Sequence, residues 1–310
     1  VRVAVLDDYQ RVAHRCADWS GLDVDFVHEH LAPEALRDRL SGVEVVVAMR
    51  ERTAFGAAEF AGLPDLRLLV TTGTANAAID LDAARGHGVV VCGTRMVGNP
   101  TAELTFGLLL ALVRRIPAED AALRAGRWQT GLGLTLEGLT FGTIGLGRLG
   151  AKVAGIAQAF GMRVLAWSQH LDPAHARDLG VDPVGKDDLL RRSDVVSIHT
   201  RLSERTRGLI GARELALCKP TAFLLNTSRG PIVDTDALVA ALHAGTIAGA
   251  GLDVFDVEPL PAGHPLRSAP RTVLTPHLGY VTEPSYERMY ADAVEDVTAW
   301  AAGDPVRVLT

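Results

Sequence analysis

Three side chains in the second half of the chain are of types that together could bind a carboxylate and move a proton beside it. Arg229 stands in Asn226-Thr227-Ser228-Arg229-Gly230, directly after the apolar run 222–225. Its planar, permanently charged fork suits bidentate recognition of a carboxylate. Glu258 precedes Pro259, and His277 follows Pro276 at the end of another apolar segment. A carboxylate beside an imidazole stabilises its protonated form, which suits a group that accepts and returns a proton near neutrality. Asp253 also closes an apolar run, at a strand end where ligands of open α/β sheets bind, and suits an amide partner. Taken singly, each has a plain structural reading as well: Arg229 as a surface arginine beside a C-cap glycine, His277 as a structural histidine.

A second group of residues suits a phosphate ligand. Thr140-Phe141-Gly142-Thr143-Ile144 leads straight into Gly145-Leu146-Gly147-Arg148-Leu149-Gly150, a G-x-G-x-x-G pattern between a strand-like and a helix-like segment. There Gly145 makes the tight turn, Gly147 lets the backbone approach a pyrophosphate, and Gly150 allows close helix–strand packing. The helix that follows presents unpaired N–H groups and its positive dipole end. Glycines also mark ordinary turns, so the flanking elements carry the dinucleotide reading. About 140 residues precede the motif, and they must form a unit of their own.

The elements that would position these residues alternate. In the first third, 1–6, 43–48, 66–71 and 88–92 read as strands, with helices at 33–40 and 79–85. Short apolar strands separated by helices predict a mostly parallel sheet covered on both faces. Asn99-Pro100 starts a long buried helix through 114, with Asn99 as its expected cap. Beyond it, strands are predicted at 139–144, 162–167, 195–199, 222–226, 248–254 and 273–276. Helices are predicted at 149–160, 187–192, 235–244 and 282–302. The chain is expected to cross between its two units near Gly98 and again near Thr275, with a cleft and two hinges there.

Composition narrows the classes. The chain has 310 residues, 48% hydrophobic and 22% charged, with a net charge of −6 and no basic run, which argues against a nucleic-acid partner. Cys16, Cys92 and Cys218 are widely spaced and are read as reduced thiols of a cytoplasmic protein. Neither they nor the scattered histidines show metal-ligand spacing. Residues 1–6 read as a strand, not as a secretion signal. The most apolar helix candidate, near 104–113, is too short to span a bilayer.

With these motifs in view, the sequence resembles the D-isomer-specific 2-hydroxyacid dehydrogenase family, phosphoglycerate dehydrogenase-like. The resemblance rests on G-T-I-G-L-G-R-L-G (142–150), S-D-V-V-S-I-H-T (193–200), N-T-S-R-G-P-I-V-D (226–234), G-L-D-V-F-D-V-E-P (251–259) and T-P-H-L-G (275–279). It implies an α/β fold of two Rossmann-like domains, each a mostly parallel sheet flanked by helices, with the active site in the interdomain cleft. The substrate-binding domain would be 1–96, completed by the C-terminal helix 280–310, and the NAD(P)-binding domain 97–276. With the chain ending about 30 residues past His277, the short form without a regulatory domain is expected.

The resemblance further implies that Arg229, Glu258 and His277 are the catalytic residues. Thr72, Gly73 and Thr74 would join Arg229 in holding the substrate. Gly145, Gly147, Arg148, Leu149, Gly150, Ser168, Thr200, Thr227, Ser228, Asp253 and Gly279 would contact the cofactor. No metal is implied. The expected activity is NAD(P)-dependent interconversion of a D-2-hydroxy acid and its 2-keto acid. A homodimer built through the nucleotide domain and helix 100–114 is expected, as is closure of the two domains over a small 2-hydroxy or 2-keto acid. Two alternatives stay open: a dinucleotide-sensing corepressor, and a dehydrogenase of a simpler acid such as formate. The second is weakened by Glu258, where formate enzymes carry glutamine.

The sequence departs from the family pattern in places. An acidic residue about 20 positions past the glycines ordinarily holds the ribose 2′-hydroxyl of NAD, yet here the strand ends in Ser168-Gln169-His170, with Asp172 further on. No arginine follows at once, so the cofactor is read as NAD, with NADP as the alternative. Arg201 occupies a position that is usually proline, and is read either as a ligand contact or as a solvent-facing residue. Arg50 and Arg52 lie just past a strand end, as contacts for the distal part of a substrate or as solvated loop residues.

Overall fold

Valine- and leucine-rich runs of four or five residues are too short for buried helices and favour pleated, fully covered strands. In a computed structural model describing residues 1–310, such runs form two separate parallel sheets. The chain divides into two compact units, Val1–Gly98 with Val281–Thr310, and Asn99–Tyr280.

The first unit holds β1 (Arg2–Val5), β2 (Asp23–Phe26), β3 (Val45–Ala48), β4 (Leu68–Thr71) and β5 (Val90–Gly93) in the order β2-β1-β3-β4-β5. Every pairing between these strands is parallel. Helices α1 (Ala13–Cys16), α2 (Pro33–Arg39), α3 (Ala57–Ala61) and α4 (Leu81–Gly86) connect them. Val46, Leu69 and Val91 meet Phe55 and Phe60 in the core.

The second unit begins with α5 (Pro100–Val113) and α6 (Ile116–Arg124), and then alternates. Its strands are β6 (Thr140–Ile144), β7 (Arg163–Trp167), β8 (Asp182–Pro183), β9 (Val195–Ile198), β10 (Phe223–Asn226), β11 (Gly249–Leu252) and β12 (Thr272–Leu274). Its helices are α7 (Arg148–Ala159), α8 (Pro173–Asp178), α9 (Lys186–Arg192), α10 (Ala212–Leu217) and α11 (Thr235–Ala244). The sheet order is β12-β11-β10-β9-β6-β7-β8, again all parallel. Strand order reverses at β6, the kind of switch point beside which open α/β folds bind ligands. Ile144 pairs with Trp167 on one side and Ile198 on the other, so the loops leaving β6, β7 and β9 start level with one another.

The last helix, α12 (Glu283–Ala301), belongs to the first unit. The Arg95 fork holds buried Asp292 at 2.6 and 3.0 Å, and Arg307 reaches Asp296 at 3.0 Å. No helix is long and apolar enough to cross a membrane.

The structure adds elements that the sequence reading did not name, β2, β8, α1, α3, α6, α8 and α10, and it changes one cap. β2 reads Asp-Val-Asp-Phe and is only half covered, so its apolar signal is weak. α6 carries little net hydrophobicity and exposes Ile116 and Leu123. Asn99 makes no capping hydrogen bond; Pro100 takes the first helical position, where a missing N–H costs nothing.

Candidate functional site

The glycine loop leaves β6 with Gly145 at φ +101°, a conformation that side chains rarely adopt. A Cβ there would stand 2.8 Å from the His199 carbonyl carbon and oxygen, and one at Gly150 would strike the Gly145 carbonyl oxygen. These two glycines are therefore required by the chain's own packing. Gly147 differs: its φ of −78° suits any residue, and a Cβ there meets nothing within 4 Å. It fronts the N-terminus of the twelve-residue α7, where the N–H groups of Arg148 and Leu149 begin the helix. The open space over Gly147, next to donors and a positive dipole end, fits a dinucleotide pyrophosphate.

Beside this loop lies a pocket of about 460 Å³, lined among others by Gly145, Ser168, Gln169, His170, Thr200, Arg201 and Arg205. Asp172 does not reach it; its carboxylate caps α8, accepting the Ala174 N–H at 2.8 Å. The loop after β9 is folded back on itself, with Thr206 Oγ1 donating to the Arg201 carbonyl at 2.7 Å and accepting the Ser203 N–H at 2.8 Å.

Arg229 follows β10. Asn226 organises this turn: Nδ2 donates to the Arg229 carbonyl at 2.9 Å, and Oδ1 accepts the Ser228 N–H at 3.0 Å. Arg229 donates to the Ser228 carbonyl at 2.7 Å. A side chain at Gly230 would collide with the Phe255 and Asp256 backbone, so glycine is needed for the loops after β10 and β11 to lie side by side. Thr227 is buried, its hydroxyl 2.9 Å from that of Thr105 on α5, and Ser228 Oγ donates to the Thr200 carbonyl.

Glu258 and His277 come together although 18 residues separate them in the chain. His277 Nδ1 lies 2.6 Å from Glu258 Oε2, and Glu258 Oε1 accepts the Phe255 N–H at 2.9 Å. A carboxylate can only accept here, so Nδ1 carries a proton, and in the neutral ring the lone pair is on Nε2, free to face another group. His277 sits at φ +54°, a left-handed conformation that costs a non-glycine residue of order 1–3 kcal/mol. Asp253 holds it there. Its carboxylate accepts Leu278 N–H at 2.7 Å, Gly279 N–H at 2.8 Å and the Thr275 hydroxyl at 2.6 Å, and its carbonyl accepts His277 N–H at 2.8 Å. Asp253 is fully buried, and burial pushes its carboxyl above the usual carboxylate range against the pull of these donors. Gly279 is likewise engaged, its carbonyl accepting from Thr101 at 2.8 Å. Sequence reasoning placed both residues at the cofactor; the strap they form under His277 was not visible in it.

Thr72, Gly73 and Thr74 follow β4 in the first unit. Thr72 N–H donates to Ala48 at 3.0 Å and Gly73 N–H to Thr94 Oγ1 at 2.8 Å. Exposed Thr74 is thus the residue of the three whose N–H has no partner. Arg50 lies against this turn: its N–H donates to Thr72 Oγ1 at 2.9 Å, and a Cβ at Gly73 would strike its guanidinium. No group of three His, Cys, Asp or Glu residues is placed to hold a metal ion.

The chain matches the family model of the D-isomer specific 2-hydroxyacid dehydrogenase NAD binding domain over residues 106–279. It is 42% identical over 250 residues to a glyoxylate reductase of Aeropyrum pernix, covering 77% of this chain and 75% of that protein. It is 38% identical over 259 residues to a D-3-phosphoglycerate dehydrogenase of Mycobacterium tuberculosis, covering 83% of this chain and 49% of that one. A crystal structure of a phosphoglycerate oxidoreductase from Vibrio cholerae superposes with a TM-score of 0.93 at 36% identity, covering 97% of this chain and 99% of that chain. The chain belongs to the D-isomer-specific 2-hydroxyacid dehydrogenase family. At family level its activity is NAD(P)-dependent oxidoreduction between 2-hydroxy and 2-keto acids.

Proposed function

We propose that the protein is a D-2-hydroxyacid dehydrogenase, or in reverse a 2-ketoacid reductase, with Arg229, Glu258 and His277 as its catalytic residues. The observation that carries this reading is the 2.6 Å contact between Glu258 Oε2 and His277 Nδ1, which leaves Nε2 as the base. The nicotinamide, when bound, supplies the hydride acceptor or donor. Arg229 holds the substrate carboxylate with its fork and polarises the keto oxygen in reduction. His277 Nε2 removes the C2 hydroxyl proton in oxidation and returns it in reduction, and Glu258 stabilises the imidazolium that forms. The loop Thr72-Gly73-Thr74 adds backbone donation to the carboxylate, with Thr74 N–H as the available donor.

The Gly145–Gly150 loop, Thr200, Thr227 and Ser228 would hold the dinucleotide, and NAD or NADP satisfies the glycine loop equally. The protein is proposed to act in the cytoplasm on a small 2-hydroxy or 2-keto acid, and as a homodimer. Support for the dimer is apolar surface past α5, where Trp128 is 76% and Leu132 95% exposed.

The role assignment is tested with His277→Ala. Turnover is expected to fall by at least a thousandfold while dinucleotide affinity stays within about threefold. Equal loss of both would show that His277 is a binding or structural residue.

A further inference from the structure

We infer that Arg201 and Arg205 bind the 2′-phosphate of NADP(H), with Ser168 beside them, so that the enzyme prefers NADP(H) to NAD(H). This rests on the dinucleotide reading above and specifies its cofactor.

Three observations converge. First, the strand end that ordinarily offers a carboxylate to the ribose 2′-hydroxyl carries Ser168 after Trp167, and the nearest acid, Asp172, is committed to the α8 cap. Nothing there favours an unphosphorylated ribose, and nothing repels a phosphate. Second, cations arrive from a different loop. The sheet order β9-β6-β7 sets the loops after β7 and β9 on either side of the glycine loop. The turn fixed by Thr206 brings both Arg201 and Arg205 to the pocket that Ser168, Gln169 and His170 line. Third, these arginines are uncommitted. Neither makes a hydrogen bond through its guanidinium or an ion pair, both are exposed, and Glu204 between them does not line the pocket. No carboxylate lines it at all.

A phosphate dianion there would meet two guanidinium forks, the geometry that suits bidentate phosphate recognition. A hydrogen bond to a charged group in so open a site is expected to change affinity by roughly tenfold or more per arginine. Part of that gain should fade as salt screens it.

The experiment is isothermal titration of the protein with NADPH and NADH, and with 2′,5′-ADP and ADP as probes of the phosphate alone. NADPH should bind at least tenfold tighter than NADH, and 2′,5′-ADP tighter than ADP. Arg201→Ala and Arg205→Ala should each reduce the NADPH-to-NADH preference about tenfold, and Ser168→Asp should invert it. Equal or tighter binding of NADH, or a preference unchanged in the double arginine variant, would overturn the assignment. Binding of neither dinucleotide would overturn the dinucleotide reading itself, and this inference with it.

Discussion

Glu258 grips His277 from one side through a 2.6 Å contact to Nδ1, while its own second oxygen is pinned by the Phe255 N–H. The pair is thus oriented before any substrate arrives, with Nε2 directed away from the carboxylate. Glu258→Gln keeps an acceptor but removes the charge that stabilises the imidazolium. Turnover is expected to fall roughly 10- to 100-fold, in the range usual for tuning an acid–base group. Steady-state kinetics with a reducible keto acid checks this; unchanged kcat would separate Glu258 from the chemistry.

Asp253 acts one step further back. It straps Leu278 and Gly279 and so maintains the left-handed backbone at His277. In Asp253→Asn one acceptor becomes a donor facing an N–H group, and the strained turn should relax. A fall in kcat of at least tenfold is expected, with the His277 ring resonances in NMR spectra split or broadened. A sharp, unshifted His277 signal together with normal turnover would contradict the strap.

The glycine loop separates folding from binding. Gly150→Ala places a methyl against the Gly145 carbonyl oxygen and should destabilise the fold by about 1–3 kcal/mol, the usual cost of overpacking. Gly147→Ala meets no protein atom and should leave Tm nearly unchanged, yet weaken dinucleotide binding tenfold or more. Denaturation paired with titration distinguishes them; a large loss of stability in Gly147→Ala would remove the argument that its open space serves a ligand.

His199 gives the protein an acid-sensitive point. Its Nε2 pairs with Ser197 Oγ at 2.8 Å, Nδ1 is buried without a partner, and burial lowers the imidazole from its usual value to about 4. The unfolded chain takes up this proton near pH 6.5, whereas the folded chain resists it until about pH 4. Stability is therefore fully present above pH 6.5 and is lost as pH falls through that window. At pH 5 the expected loss from this residue is about 2 kcal/mol relative to pH 7.5. Urea denaturation of the wild type and His199→Gln at both pH values measures it; an equal loss of unfolding free energy between the two pH values in both proteins would mean that His199 is not held neutral.

The sequence carried the sheets because their strands are continuous apolar runs, and α5 because its buried face is long. Arg229, Glu258 and His277 were legible as candidates because they stand beyond strand ends in recognisable motifs, and the 2.6 Å contact of the last two could not be read along the chain. The sequence did not carry β2, whose aspartates alternate with Val24 and Phe26, nor the role of Asp253, whose carboxylate serves backbone donors 25 and 26 residues away. The meeting of Ser168 with Arg201 and Arg205 was hidden for the same reason. Adjacency in a sheet of order β9-β6-β7 is a property of topology, while a search for an arginine next to Ser168 looks only along the chain.

Reduction of a 2-keto acid through His277 and Arg229 is tested most directly by following absorbance at 340 nm with NADPH and with NADH across glyoxylate, hydroxypyruvate, pyruvate and phenylpyruvate. The wild type should oxidise the cofactor with at least one of these acids. In His277→Ala that rate should vanish, and in Arg229→Lys it should fall sharply because a point charge cannot replace the fork. Turnover that survives in His277→Ala, or no turnover by a wild type that binds dinucleotide tightly, would contradict the account.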